Sequence, residues 1–480
     1  MNLSDITTYI FILIGCGILL FTGQPSFFPE ETFFASVCVL VFYNLIEIYK
    51  LNKREGGGKP TLASPVVVGA VYMFIANFGV TNLGFIIYDD FDKFWGWGVV
   101  DSSVRMSWSS NVTILALVSS LGMWVGYRSG ISRYLVSKVE RSNIVSSLIR
   151  RKFKPRWKVV FCLFALGITG YVYALSLGTL GVFIEKSKWA LPILQYIKYL
   201  SLGSYVAIII TSIQWVRTRS LSTLILLSVF VISVAFFGFL SGMKSQLVKP
   251  FLVAAITIYI CKKEIPRQSI LLVTVVVFVA FAVIGPVRQS IQSGASIDRV
   301  IQGYYKFDRV TEMSRSNQPV AKSVFLRLNV TTRANSLMGY TSKEESSEVA
   351  QIPYIARSLL APVYAVVPRI VWPSKPNFNN GGIAYKELTG MRGNSMSTSP
   401  FLPLYWSGGF VACFLGFFVV GICQSVTYSL LYGFGTGGMI VYFALLMVVS
   451  SVSGSYYPFI VEFIRYVFLG AIAQYMVLKN

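Results

Sequence analysis

The run Leu221–Leu240, LSTLILLSVFVISVAFFGFL, contains no charged residue and no proline. Wound as an α-helix at ~1.5 Å per residue, it covers about the ~30 Å apolar thickness of a bilayer. Its flanks are unequal: Arg217 and Arg219 precede it, while Lys244 is the one basic residue of the following Ser241–Gln246. Cytoplasmic loops carry the excess of Lys and Arg, so the Arg217 end reads as cytoplasmic.

Similar apolar runs lie on either side, at Thr8–Thr22, Thr32–Tyr49, Ser64–Tyr88, Val112–Tyr127, Val159–Leu177, Leu191–Val216, Leu247–Ile260, Ser269–Gly285, Leu402–Gln424, Gly437–Ser455 and Pro458–Leu478. The pattern predicts about twelve transmembrane helices. Thr8–Thr22 has no Lys or Arg ahead of it and no small-residue cleavage site behind it, so it reads as an uncleaved first helix. The whole chain agrees: 480 residues, 54% hydrophobic, 13% charged, with a mean hydropathy of +0.63. That balance excludes a soluble enzyme, a secreted disulfide scaffold and a disordered chain. All six cysteines lie in or at the end of apolar runs, where they form neither an extracellular disulfide framework nor a zinc knuckle. Histidine is absent, which removes the usual neutral-pH base and a common metal ligand. Chemistry is left to carboxylates, Arg, Lys, hydroxyls and backbone.

Charge sets the expected orientation. Lys50–Lys59, Arg128–Lys158, Trp215–Ser220 and Cys261–Gln268 are strongly basic, whereas Gly23–Glu31, Asp89–Asn111, Gly178–Ala190 and Ser241–Gln246 hold few Lys or Arg. Both termini are therefore expected in the cytoplasm. The expected fold is an all-α polytopic integral membrane protein. Residues 1–285 would form a membrane domain of nine transmembrane helices, 286–401 one large extracytoplasmic loop that binds substrate, and 402–480 three C-terminal transmembrane helices.

The loop carries fourteen Lys and Arg against seven acids, with Arg outnumbering Lys. A guanidinium stays charged and offers a planar fork that matches phosphate oxygens, so an anionic ligand is the functional reading; a solvated basic surface is the bland one. Ile352–Trp372 is apolar but interrupted by Arg357, Arg369, Pro362 and Pro368, with Pro373 and Pro376 just beyond. It reads as a helix on the outer interface or a re-entrant element. Arg288 and Arg299, close to three helical turns apart, share a face if the ninth helix continues outward. Lys198, Lys244, Lys249, Glu462 and Arg465 sit in or beside spans near their outer ends, where charge marks a site or merely snorkels. Glu462 and Arg465 can also neutralise each other at i, i+3. Asp89, Asp90 and Asp92 could hold a divalent cation but are expected to be solvated, so no metal is expected. Asp298, Asp308, Glu312 and Glu387 lie among the arginines and suit a general base. Gly56–Lys59 lacks the spacing of a phosphate loop, and no inverted repeat of a transporter is visible.

The turn Gly242-Met243-Lys244-Ser245, the loop end Val367-Pro368-Arg369-Ile370-Val371-Trp372-Pro373-Ser374-Lys375-Pro376, and Met396-Ser397-Thr398-Ser399-Pro400 ahead of the next span resemble the Wzy family, bacterial O-antigen and oligosaccharide repeat-unit polymerases. The resemblance implies glycosyl transfer from an undecaprenyl-pyrophosphate donor to a sugar hydroxyl of a lipid-linked repeat unit, on the periplasmic face of the bacterial inner membrane, with no cofactor. It implies Arg288, Arg299, Arg357, Arg369 and Lys375, with Lys244 and Arg465, as pyrophosphate contacts, and Asp298, Asp308 or Glu387 as the base. The implied partners are the lipid-linked oligosaccharide, membrane lipid and a chain-length-regulating co-polymerase, with no nucleic acid. The alternatives are an O-antigen ligase, disfavoured because that family carries an outer-loop His, and a lipid-linked oligosaccharide flippase, which would need cations along a central path.

Overall fold

The structure, a computed structural model, describes residues 29–54, 63–80, 102–142, 154–176, 192–241, 244–263, 400–433, 438–449 and 456–478, with isolated positions at Val275, Val367 and Trp372. The elements are helical: α1 (Pro29–Arg54), α2 (Pro65–Gly69) continuing as a π-helical stretch (Ala70–Val80), α3 (Ser102–Arg128), α4 (Gly130–Arg141), α5 (Trp157–Ser176), α6 (Pro192–Thr218), α7 (Leu221–Leu240), α8 (Lys244–Lys262), α9 (Leu402–Gly433), α10 (Met439–Val449) and α11 (Tyr456–Val477). Among the described residues the sole β-pairing is an isolated bridge, Pro155 to Leu478.

Six of these helices are long and apolar enough to cross a membrane, seven if α3 and α4, bent by 45° at their junction, count as one broken span. The chain is thus an all-helical, polytopic membrane-type protein. The predicted run Leu247–Ile260 lies inside α8, which carries Lys244, Lys249 and Lys262 and an internal Pro250. Within the run Gly437–Ser455 the described residues form the 11-residue α10, and 450–455 lie outside the described residues. The runs Thr8–Thr22 and, apart from Val275, Ser269–Gly285 lie outside the described residues.

The chain divides into two compact units, Met1–Arg150 with Phe325–Gly470, and Arg151–Val324 with Ala471–Asn480. In the first, α3 packs along α9 through glycines. A Cβ on Gly122 or Gly126, one turn apart, would press into the carbonyl oxygens of Phe414 and Phe418, and one on Gly421 into that of Met123. Lipid tails are as apolar as leucine, so burial gives helices little reason to associate in a bilayer. Small residues that let backbones touch supply the packing instead. Gly470 of α11 likewise faces Val441 and Ala444 of α10.

The second unit uses the same device. A Cβ on Gly167 of α5 would lie 2.8 Å from the Ser204 nitrogen, and one on Gly203 of α6 would lie 2.5 Å from the Leu163 oxygen. Phe164 stacks on Phe230 at 4.0 Å and Tyr171 on Phe237 at 5.5 Å, joining α5 to α7. Ser220 caps α7 by accepting from the Thr223 N–H. Arg219 and Lys262 both lie over the Trp215 ring, at 5.5 and 5.0 Å, which gathers the C-terminal ends of α6 and α8.

Candidate functional site

In a membrane bundle the informative positions are those where backbone regularity fails or polar groups are buried. Unit one contains both.

The backbone fails first in α9. The predicted tenth span ran unbroken over Leu402–Gln424, but Gly408 (φ 178°, ψ 33°) and Gly409 (φ 64°, ψ −148°) are not helical, and the apolar span instead covers Gly408–Leu430. Cys413 Sγ lies 3.5 Å from the Phe401 carbonyl, and Phe401 stacks on Phe417 at 5.3 Å. On a straight helix residues twelve apart would stand about 18 Å apart. The chain therefore reverses at the glycine pair, and its opening turn lies back along α9, with Leu404 filling the space beside Gly416. Gly409 has the left-handed φ that glycine tolerates.

This hairpin meets the second irregularity. Phe74 and Phe78, on the π-helical stretch, each lie 5.9 Å from the Phe401 ring. A π-helical segment this long is rare, and π-bulges concentrate at functional sites. Pro400, Phe401 and Leu402 are buried. The segment that carries the predicted arginines thus ends inside unit one, level with residues 413–417 of α9. Non-helical backbone at such depth persists where protein covers it, as the four phenylalanines do here.

The buried polar groups form a ladder between α1 and α3. Asn44 Nδ2 donates to the Leu40 carbonyl at 2.8 Å. Its Oδ1 accepts from Ser120 Oγ at 2.9 Å and Trp124 Nε1 at 3.1 Å. One turn on, Glu47, 1% exposed, pairs with Arg128 at 2.6 Å and Lys50 at 3.5 Å. The Arg128 guanidinium also lies 5.6 Å from the Trp124 ring centroid. Beyond them Ser64 and Tyr127 share a hydrogen bond, and Tyr442 donates to the Ala63 carbonyl. Held by Arg128 of α3 and Lys50 of its own helix, Glu47 anchors α1 to α3. Sequence reasoning passed over this ladder. Its signals were Asn44 and Glu47 at i, i+3 and Trp124 and Arg128 at i, i+4.

Of the residues expected to bind or react, Arg465 lies half-buried in α11, one turn from Glu462, and Lys244 opens α8. They belong to different units. Arg288, Arg299, Arg357, Arg369, Lys375, Asp298, Asp308 and Glu387 lie outside the described residues. Among the described residues no three Cys, Asp or Glu side chains gather as metal ligands. No protein-family model matches the chain, no curated protein matches it, and no solved structure matches it.

Proposed function

We propose that this chain is a polyprenyl-pyrophosphate-dependent glycosyltransferase that polymerises lipid-linked oligosaccharide repeat units at the outer face of the bacterial plasma membrane. The reading includes twelve spans, cytoplasmic termini and a periplasmic segment 286–401. The observation that carries it is the Arg-rich segment together with its ending: Met396–Pro400 leads into a buried Phe401 and a helical hairpin. A polyanion-binding segment tied into the bundle is what two lipid-linked substrates require, because their sugars react outside while their lipids stay in the bilayer.

In the proposed step the acceptor hydroxyl oxygen bonds to the anomeric carbon of the growing glycan. The bond from that carbon to the pyrophosphate oxygen breaks, and undecaprenyl pyrophosphate leaves. Arg288, Arg299, Arg357, Arg369 and Lys375 take up the charge that develops on the leaving group, with Lys244 and Arg465 as further contacts. Asp298, Asp308 or Glu387 receives the hydroxyl proton. Holding both lipids side by side supplies the proximity term.

The test uses purified protein in nanodiscs with a lipid-pyrophosphate-linked oligosaccharide, followed on a gel. The expected result is a ladder that survives a chelator and disappears in Arg288→Ala or Arg369→Ala. A ladder untouched by both substitutions removes these cations from the mechanism. Absence of a ladder, with the lipid instead crossing liposome membranes, replaces the polymerase by a flippase.

A further inference from the structure

The end of unit one that holds the Glu47–Arg128 pair has a surface the polymerase reading does not use. Ser129 ends α3 and starts α4: its Oγ donates to the Gly126 carbonyl at 2.8 Å and accepts from the Ser132 N–H at 3.1 Å, an N-cap for the next helix. The chain turns by 45° there, and α4 packs on α9 with Ser132 buried. Its remaining surface has two parts. Ile131, Tyr134 and Leu135 form an exposed apolar strip. Arg133, Lys138 and Arg141 are exposed on the same helix, and Lys138 Nζ lies 5.7 Å from the Tyr134 ring centroid. Lys53 and Arg54, the exposed end of α1, also continue past the Glu47–Arg128 pair.

We propose that α4 is an interfacial helix that binds the anionic phospholipid headgroups of the leaflet at this end of the bundle. It turns by 45° from the apolar α3, and its exposed Arg133, Lys138 and Arg141 suit a membrane boundary better than a continuation of that helix through acyl chains. An exposed apolar strip that includes a tyrosine, on a helix that also exposes three cations, suits the level between acyl chains and headgroups. Clustered Lys and Arg beside a span are attracted to a negative leaflet. The cations are spread along a twelve-residue helix, about 18 Å long, and onto the end of α1. That spacing fits a surface of many headgroups, whereas a single free phosphate needs convergent donors.

The experiment reconstitutes the full chain in vesicles of phosphatidylcholine alone or of phosphatidylcholine with phosphatidylglycerol. It measures amide hydrogen exchange over 131–141 and, by native mass spectrometry, the phosphatidylglycerol retained. Slower exchange in the anionic vesicles is expected. The variant Arg133→Gln/Lys138→Gln/Arg141→Gln is expected to lose that difference while α1 and α3 stay protected. Retained phosphatidylglycerol should fall about fivefold for each cation removed. A second variant, Ile131→Gln/Leu135→Gln, is expected to exchange faster in both vesicles. Exchange that ignores lipid charge overturns the proposal, as does a triple variant that behaves like the wild type. Protection that follows the protein-to-lipid ratio also overturns it, in favour of a second copy of this chain as the occupant.

Discussion

Glu47 shows how one residue can fix a helix pair. Its carboxylate, 1% exposed, is compensated by Arg128 at 2.6 Å, itself 11% exposed. Removing one member of a buried pair strands the other's charge and costs about 3–5 kcal/mol. Glu47→Gln is therefore expected to lower the melting temperature in detergent sharply, and Glu47→Gln/Arg128→Met to recover much of the loss; a single variant that melts like the wild type would remove the ion pair from the account of stability. Gly126 works by lacking a side chain. Gly126→Ala drives a methyl into the Phe418 carbonyl, and overpacking of this kind costs roughly 1–3 kcal/mol. Gly130→Ala is the control, because nothing lies within 4 Å of its Cβ position. Equal melting of the two variants would contradict the close approach of α3 and α9.

At the scale of elements, the hairpin opening α9 depends on a backbone conformation. Gly409 has φ +64° and ψ −148° with open space around its Cβ position, so Gly409→Ala is penalised by backbone strain alone, about 1–3 kcal/mol. Gly409→Asn is expected to cost about as much, since φ 64° with ψ −148° lies outside the left-handed helical region that asparagine tolerates. The readout is a cysteine crosslink between positions 404 and 416 in a cysteine-free background, which forms only while the opening turn lies against α9. Efficient crosslinking in Gly409→Ala, equal to that in the parent, would show that side-chain packing alone holds the turn. The apolar run here was legible, as was the Gly408–Gly409 pair within it. The reversal was not, because hydropathy sums side chains and is blind to φ. The ladder between α1 and α3 escaped for another reason: Asn44 and Ser120 lie 76 positions apart, and no local window spans that separation.

At the scale of the whole molecule, the basic segments Lys50–Lys59 and Arg128–Lys158 predict one sidedness, with both ends in the cytoplasm. A fluorescent protein fused after Asn480 is expected to fluoresce, and alkaline phosphatase inserted between Glu344 and Glu345 to be active. The reverse pattern would invert the topology and move the arginines of 286–401 to the wrong face for the proposed reaction. The sequence alone determined the all-helical membrane class and the approximate positions of the apolar helices. Both follow from transfer of each side chain between water and lipid, which adds up locally along the chain. Tertiary structure alone decided where α9 reverses, that Phe401 is buried against Phe74, Phe78 and Phe417, which glycines join α3 to α9, and that Glu47 meets Arg128. Each of these is a contact between residues distant in sequence, and its energy exists only once the helices have met.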